Sequence, residues 1–181
     1  DGTFTGTLKS GVTYTMNSGV DFTSSASKVT GHTIAGAGTV TITDLQDTLD
    51  ANLTNITVTN ATAQWSDNSS GSAAFTGTLY GTAASTRKVT IYTNKTLKTT
   101  AAKITGHYID STGTLSVTNL SSTLDCDFTN ISCSTLFTDS NNDGTFTGTL
   151  KSGVTYTMNS GVDFTSSASK VTGHTIAGAG T

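Results

Sequence analysis

The motif "DSNNDG" spans residues 139–144. Asp139, Asn141 and Asp143 alternate, and Gly144 follows them. Alternating carboxylate and amide oxygens before a glycine form the front half of a loop that wraps a calcium ion. The back half is missing. The twelfth position, where such loops carry a bidentate Glu, is Leu150, and the chain has no Glu at all. The sister stretch "SDNSSG" (66–71) keeps fewer oxygens. Asn, Asp, Ser and Gly are also the residues of a plain polar turn between strands. Calcium held by Asp139, Asn141 and Asp143 therefore stands as the alternative to a turn, and no other cofactor is implied.

Two further sets of residues carry chemistry. His32, His107 and His174 each close a "TGH" triplet. With strands about 4.8 Å apart, stacked repeats would hold these imidazoles roughly 14 Å from one another, far beyond the ~2 Å of a zinc–nitrogen bond. They read as turn or surface residues. Cys126 and Cys133 lie in "CDFTNISC". Their counterparts 75 positions earlier are Ala51 and Val58, which suits two buried thiols. A disulfide between Cys126 and Cys133 needs a turn between them, and a bond to another chain is the third option.

Catalytic motifs fail. "SASK" (25–28) and "SDN" (66–68) match two of the three penicillin-binding-protein motifs, but K-T-G is absent. That chemistry needs Ser and Lys on a helix, and no helix is readable here. G-x-S-x-G, H-E-x-x-H and the P-loop are also absent. The chain is expected to be non-catalytic.

The elements that must position these residues are strands. "TFTGTL", "VTYTM", "VTIT", "NITVT" and "KVTIYT" alternate apolar residues with Thr, the period of a half-buried strand. Thr accounts for 42 of 181 residues, and it favours a pleated surface over a disordered chain. Pro is absent, as a chain in continuous ladders requires. The stretch "DLQDTLDANLTNI" has Leu45, Leu49, Leu53 and Ile56 near helical spacing, but its Asp, Asn and Thr content reads as strand–turn–strand. The net charge is −3 and the basic residues are scattered, which argues against nucleic-acid binding. No run approaches the ~20 apolar residues of a membrane span.

The sequence repeats itself. Residues 1–39 and 143–181 are identical, a period of 142. Within it "FTGTL" recurs at 4–8, 75–79 and 146–150, spaced by 71. "KVTGHTI" (28–34) answers "KITGHYI" (103–109). The layout is unit A over 1–74, unit B over 75–142, and the start of a next unit A over 143–181. Shared motifs run through without a linker, and 71 residues is short for a β-sandwich of about 100. The expected fold class is all-β, a β-solenoid with about three rungs per unit, with tandem small sandwiches as the alternative. The chain then reads as a window on a longer array.

The pair "GTVTITDLQDTLDANLTNIT" (38–57) and "GTLSVTNLSSTLDCDFTNIS" (113–132) resembles the strand repeats of giant bacterial adhesin-type surface proteins, common in marine cyanobacteria. The resemblance implies an extracellular or cell-surface filament or stalk, and supplies no catalytic residues. The expected partners are further copies, either head-to-tail or within the same array, and surface glycans. The alternatives are a calcium-stabilised adhesive module and an ice-binding surface, the latter suggested by Thr-x-Thr rows. Asn-x-Ser/Thr sequences, such as that at Asn55, are frequent in so Thr-rich a chain and weak as glycosylation signals.

Overall fold

The computed structural model describes residues 2–66, 73–80, 84–141 and 144–181. Alternation becomes strand in "VTYTM", "VTIT" and most of "KVTIYT", whereas "NITVT" keeps only an isolated bridge at Ile56 and "TFTGTL" is strand only at Thr3–Phe4. In chain order the strands are β1 (Thr3–Phe4), β2 (Thr13–Met16), β3 (Asp21–Ser25), β4 (Thr33–Gly36), β5 (Thr39–Leu45) and β6 (Asn60–Trp65). The second unit adds β7 (Arg87–Ile91), β8 (Thr96–Thr100), β9 (Tyr108–Thr118) and β10 (Ile131–Phe137). The repeated copy adds β11 (Thr155–Met158) and β12 (Thr175–Gly178). Leu45–Ile56 is strand, turn and isolated bridge, as its polar content implies.

The named strands pair in parallel, each with the turn before or after it. The result is a β-solenoid of about eight turns. The sandwich alternative is excluded, because sandwiches are antiparallel.

Three one-turn helices depart from the sequence reading: α1 (Ala26–Val29), α2 (Ala101–Ile104) and α3 (Ala168–Val171). They include the Lys of "SASK". Four residues are too few to show a helical period, so no apolar stripe announces them. In each, the next residue donates back to the first helical carbonyl, as Thr30 N does to Ala26 O at 3.0 Å. The following glycine is left-handed, with φ +72° at Gly31 and Gly106 and +80° at Gly173. "TGH" is thus a corner of the coil, and its Gly is required by backbone geometry.

The coil and the repeat are out of phase. One column of paired residues runs Phe4, Ser24, Ile42, Ala63, Val89, Ile109, Ile131. Six turns thus cover 127 residues (131 − 4), about 21 per turn. The three expected rungs would use only about 63 of the 71 residues. A unit instead takes about three and a third turns. Phe75, the counterpart of Phe4, lies on another column with Thr99, Val117, Phe137, Met158 and Gly178. Identical strands accordingly join different sheets. "TYTM" and "TIAG" form a separate two-stranded sheet as β2–β4, and end the ten-stranded sheet as β11–β12.

Inward residues of all columns meet in one core running along the coil. Its largest cluster joins unit B to the repeated copy. The Phe137 ring lies 5.6 Å from Phe128, 5.8 Å from Tyr156 and 5.5 Å from Phe164. Phe128 also stacks on Phe146 at 6.2 Å. Phe137→Ala should cost about 3–5 kcal/mol, read as a lowered midpoint in urea. A second test uses "FTGTL". A Cβ on Gly148 would stand 2.2 Å from Cys126 O, and one on Gly77 2.4 Å from Ala51 O. Gly148→Ala should cost about 1–3 kcal/mol by overpacking in the same titration.

Candidate functional site

The side chains with chemistry mostly serve the joints between turns. The Ser24 hydroxyl donates to Phe4 O at 3.2 Å, Thr99 to Phe75 O at 3.2 Å and Ser166 to Phe146 O at 3.3 Å. These three occupy one aligned position, each holding the "FTGTL" phenylalanine one turn back. A second lock uses the Thr of "TGH". Asn52 N donates to Thr30 Oγ1 at 2.8 Å and Asp127 N to Thr105 Oγ1 at 2.9 Å. In the last copy the Thr172 hydroxyl donates to Ala168 O in its own helix at 2.7 Å. Sequence reasoning missed both locks. Their signal was the Ser/Thr identity at matched offsets, hidden by the abundance of both residues.

Asn141 of the calcium motif is one of these joints. Its side chain is buried, its Nδ2 donates to Thr165 O at 2.7 Å, and its Oδ1 accepts from Thr165 N at 3.2 Å. Both ends of the carboxamide are bound to the next turn's backbone. Asp139 is half-buried in the adjoining bend, and Asp143 lies outside the described residues. Among the described residues no group of three or more His, Cys, Asp or Glu is placed to hold a metal.

Cys126 and Cys133 are free and buried. Burial pushes both thiols up to about 12. The Cys126 thiol donates to Ala101 O at 3.3 Å. Of the three options the sequence left open, the structure has the two buried thiols. Their counterparts Ala51 and Val58 are equally buried.

The histidines are half-buried corner residues. Successive units rotate by a third of a turn, so the three imidazoles stand at different corners. His174 Nδ1 contacts Lys151 O at 3.2 Å. His107 lines a half-open cleft of about 260 Å³ with Thr54, Thr78, Tyr80 and Lys103. Lys103 Nζ is tied to Gly77 O at 2.7 Å. Burial pushes the Tyr80 hydroxyl up and the His107 imidazole down from their ordinary values. Both therefore stay neutral, and the cleft presents neither a phenolate nor an imidazolium.

The outward rows of threonine are regular over part of the coil. Thr3, Thr23, Thr41 and Thr62 occupy one place on four successive turns. Lys88 and Tyr108 then take that place.

Three measurements check this account. In the native protein Cys126 and Cys133 should resist a thiol reagent and both react on unfolding, because a protonated buried thiol is a poor nucleophile. Asn141→Ala should cost about 1–3 kcal/mol, the penalty for unpaired buried groups, and the loss in melting temperature should be the same in EDTA and in millimolar Ca²⁺. His107 holds its proton less well folded than unfolded. Its contribution to stability is therefore present above about pH 6.5 and lost as pH falls below that value. His107→Asn should flatten the acid limb of a stability–pH curve.

A search of protein-family models, curated proteins and solved structures finds no match to the chain.

Proposed function

We propose that this chain is a structural repeat segment of a long extracellular or cell-surface β-rich filament or adhesin stalk. Its work is to supply length and stiffness, without catalysis. One observation carries the reading: the backbone ladder does not pause at the repeat boundaries. β6 of unit A pairs with β7 of unit B, Ala61 with Arg87 through Trp65 with Ile91. β10 of unit B pairs with β11 of the next copy. An added period therefore lengthens one coil and creates no joint. The resemblance to adhesin-type arrays supports the surface location and the role of partner copies. Among the described residues no helix is long and apolar enough to cross a membrane. Low charge and unbroken ladders suit a rod that resists proteases.

The threonine ladder bears on the ice-binding reading. Four matched turns followed by Lys88 and Tyr108 make a short and interrupted array, so the stalk reading predicts no thermal hysteresis in the freezing-point assay. Chains carrying one, two and three 142-residue periods test the stalk directly by small-angle scattering. At about 6.7 turns per period and ~4.8 Å per turn, each period should add roughly 32 Å to a rod of constant cross-section. A cross-section that grows, or a distribution typical of jointed beads, would overturn the reading.

A further inference from the structure

The corner at His107 differs from its two sister corners. Tyr14, Val89 and Tyr156 hold one place, each paired with the isoleucine that follows the "TGH" histidine by two residues, Ile34, Ile109 and Ile176. In the sister corners the tyrosine ring stands edge-on to the histidine, Tyr14 at 6.5 Å from His32 and Tyr156 at 6.4 Å from His174. Its hydroxyl accepts from the backbone N–H of Lys9 or Lys151. In unit B the place belongs to Val89, so β7 sets no tyrosine ring against His107. Tyr80 stands in sequence where Lys9 and Lys151 stand, directly after "FTGTL".

This corner has the cleft of about 260 Å³. Thr54, Thr78, Leu79, Tyr80, Lys103 and His107 line it from three successive turns. Its polar groups have bonding capacity left over. The Tyr80 side chain is 2% exposed and its hydroxyl has no hydrogen-bond partner, whereas native proteins pair nearly all buried polar groups. Lys103 gives one N–H to Gly77 O at 2.7 Å, and an ammonium has three. The lining holds that cation and no carboxylate. The Arg87 guanidinium, which donates to Val58 O at 3.2 Å, adds positive potential at the Tyr80 hydroxyl. The volume falls just below the ~300–1,000 Å³ of pockets for drug-sized ligands, so the occupant is no larger than a sugar ring.

We propose that this cleft binds a small hydroxylated carboxylate, of the class of sugar acids and hydroxy acids. The carboxylate pairs with the N–H groups of Lys103 that Gly77 O leaves over, a charge-assisted contact. The ligand's hydroxyls meet those of Thr54 and Thr78, the His107 ring and the unpaired Tyr80 hydroxyl. A neutral imidazole keeps one donor and one acceptor nitrogen, which matches an alcohol, and a neutral phenol does not repel an anion. The proposal goes beyond the stalk reading, because a stalk needs no ligand. The cleft lies among turns in mid-coil, so its test stands whether or not the chain belongs to a longer array.

The test follows the histidine rings by NMR in the full chain, titrated with glucuronate and, in parallel, with glucose, acetate and inorganic phosphate. Glucuronate should shift the His107 ring saturably and leave His32 and His174 in place. Glucose lacks the carboxylate and acetate lacks the hydroxyls, and each should bind about tenfold more weakly or worse, as the loss of a charged or a buried hydrogen bond implies. Three variants assign the contacts. Tyr80→Phe removes a hydroxyl that has no partner in the protein, so it should weaken glucuronate several-fold and leave the melting temperature unchanged. Lys103→Gln keeps a donor for Gly77 O but loses the charge, and should bring glucuronate down to the level of glucose. Ala102 is exposed and lies on the cleft wall, so Ala102→Phe should block binding in a chain that melts normally. No shift of His107 with glucuronate overturns the proposal. So do equal affinities for glucuronate and glucose, which make the charge irrelevant, and equal affinities for glucuronate and phosphate, which make the cleft a plain anion site. A Tyr80→Phe chain that binds as tightly as the parent overturns it as well.

Discussion

The structure depends on the register of parallel backbone hydrogen bonds between successive turns. Each turn offers its N–H and C=O groups to the turns on either side, and the side chains accommodate that demand. Pro has no N–H to give and is absent. Gly77 and Gly148 let the backbone approach the carbonyls of Ala51 and Cys126. Ser24, Thr99 and Ser166 bond the turn before them, and Thr30 and Thr105 the turn after. Exposed charge adds little: the Lys88–Asp110 ion pair is largely solvated, and such pairs contribute about 0–1 kcal/mol.

From that register follows the mismatch between repeat and coil. A unit of 71 residues on turns of about 21 leaves roughly a third of a turn over. Equivalent residues therefore rotate to a new column with each unit. Phe128, Phe137, Phe146, Tyr156 and Phe164 come from different strands and loops and still meet in one cluster. The rotation also places one sequence in different surroundings. "TIAG" lies in a two-stranded sheet as β4 and in the ten-stranded sheet as β12.

Much of this was readable from the residues. Alternation with Thr located the strands, the 71 and 142 spacings announced a coil, and the Ala51 and Val58 counterparts implied buried thiols at Cys126 and Cys133. What stayed hidden has physical reasons. A four-residue helix such as Ala26–Val29 is shorter than the window that reveals its period. The leftover third of a turn depends on which strands pair, and pairing is a long-range fact. The backbone clamp made by Asn141 stayed hidden because a carboxamide that holds a neighbouring turn and one that binds a cation have the same local sequence. The locking hydroxyls were lost among 42 threonines.

Native-state hydrogen exchange, resolved by residue, tests the continuous ladder most directly. The account predicts protection that peaks in mid-coil, passes without a step across the 74/75 and 142/143 boundaries, and declines toward both ends. The amide of Ile34, bonded to Asn55 O at 3.1 Å, should exchange far more slowly than that of its twin Ile176. Abrupt steps at the repeat boundaries, or equal rates for Ile34 and Ile176, would contradict a single coil in which each turn is held by its neighbours.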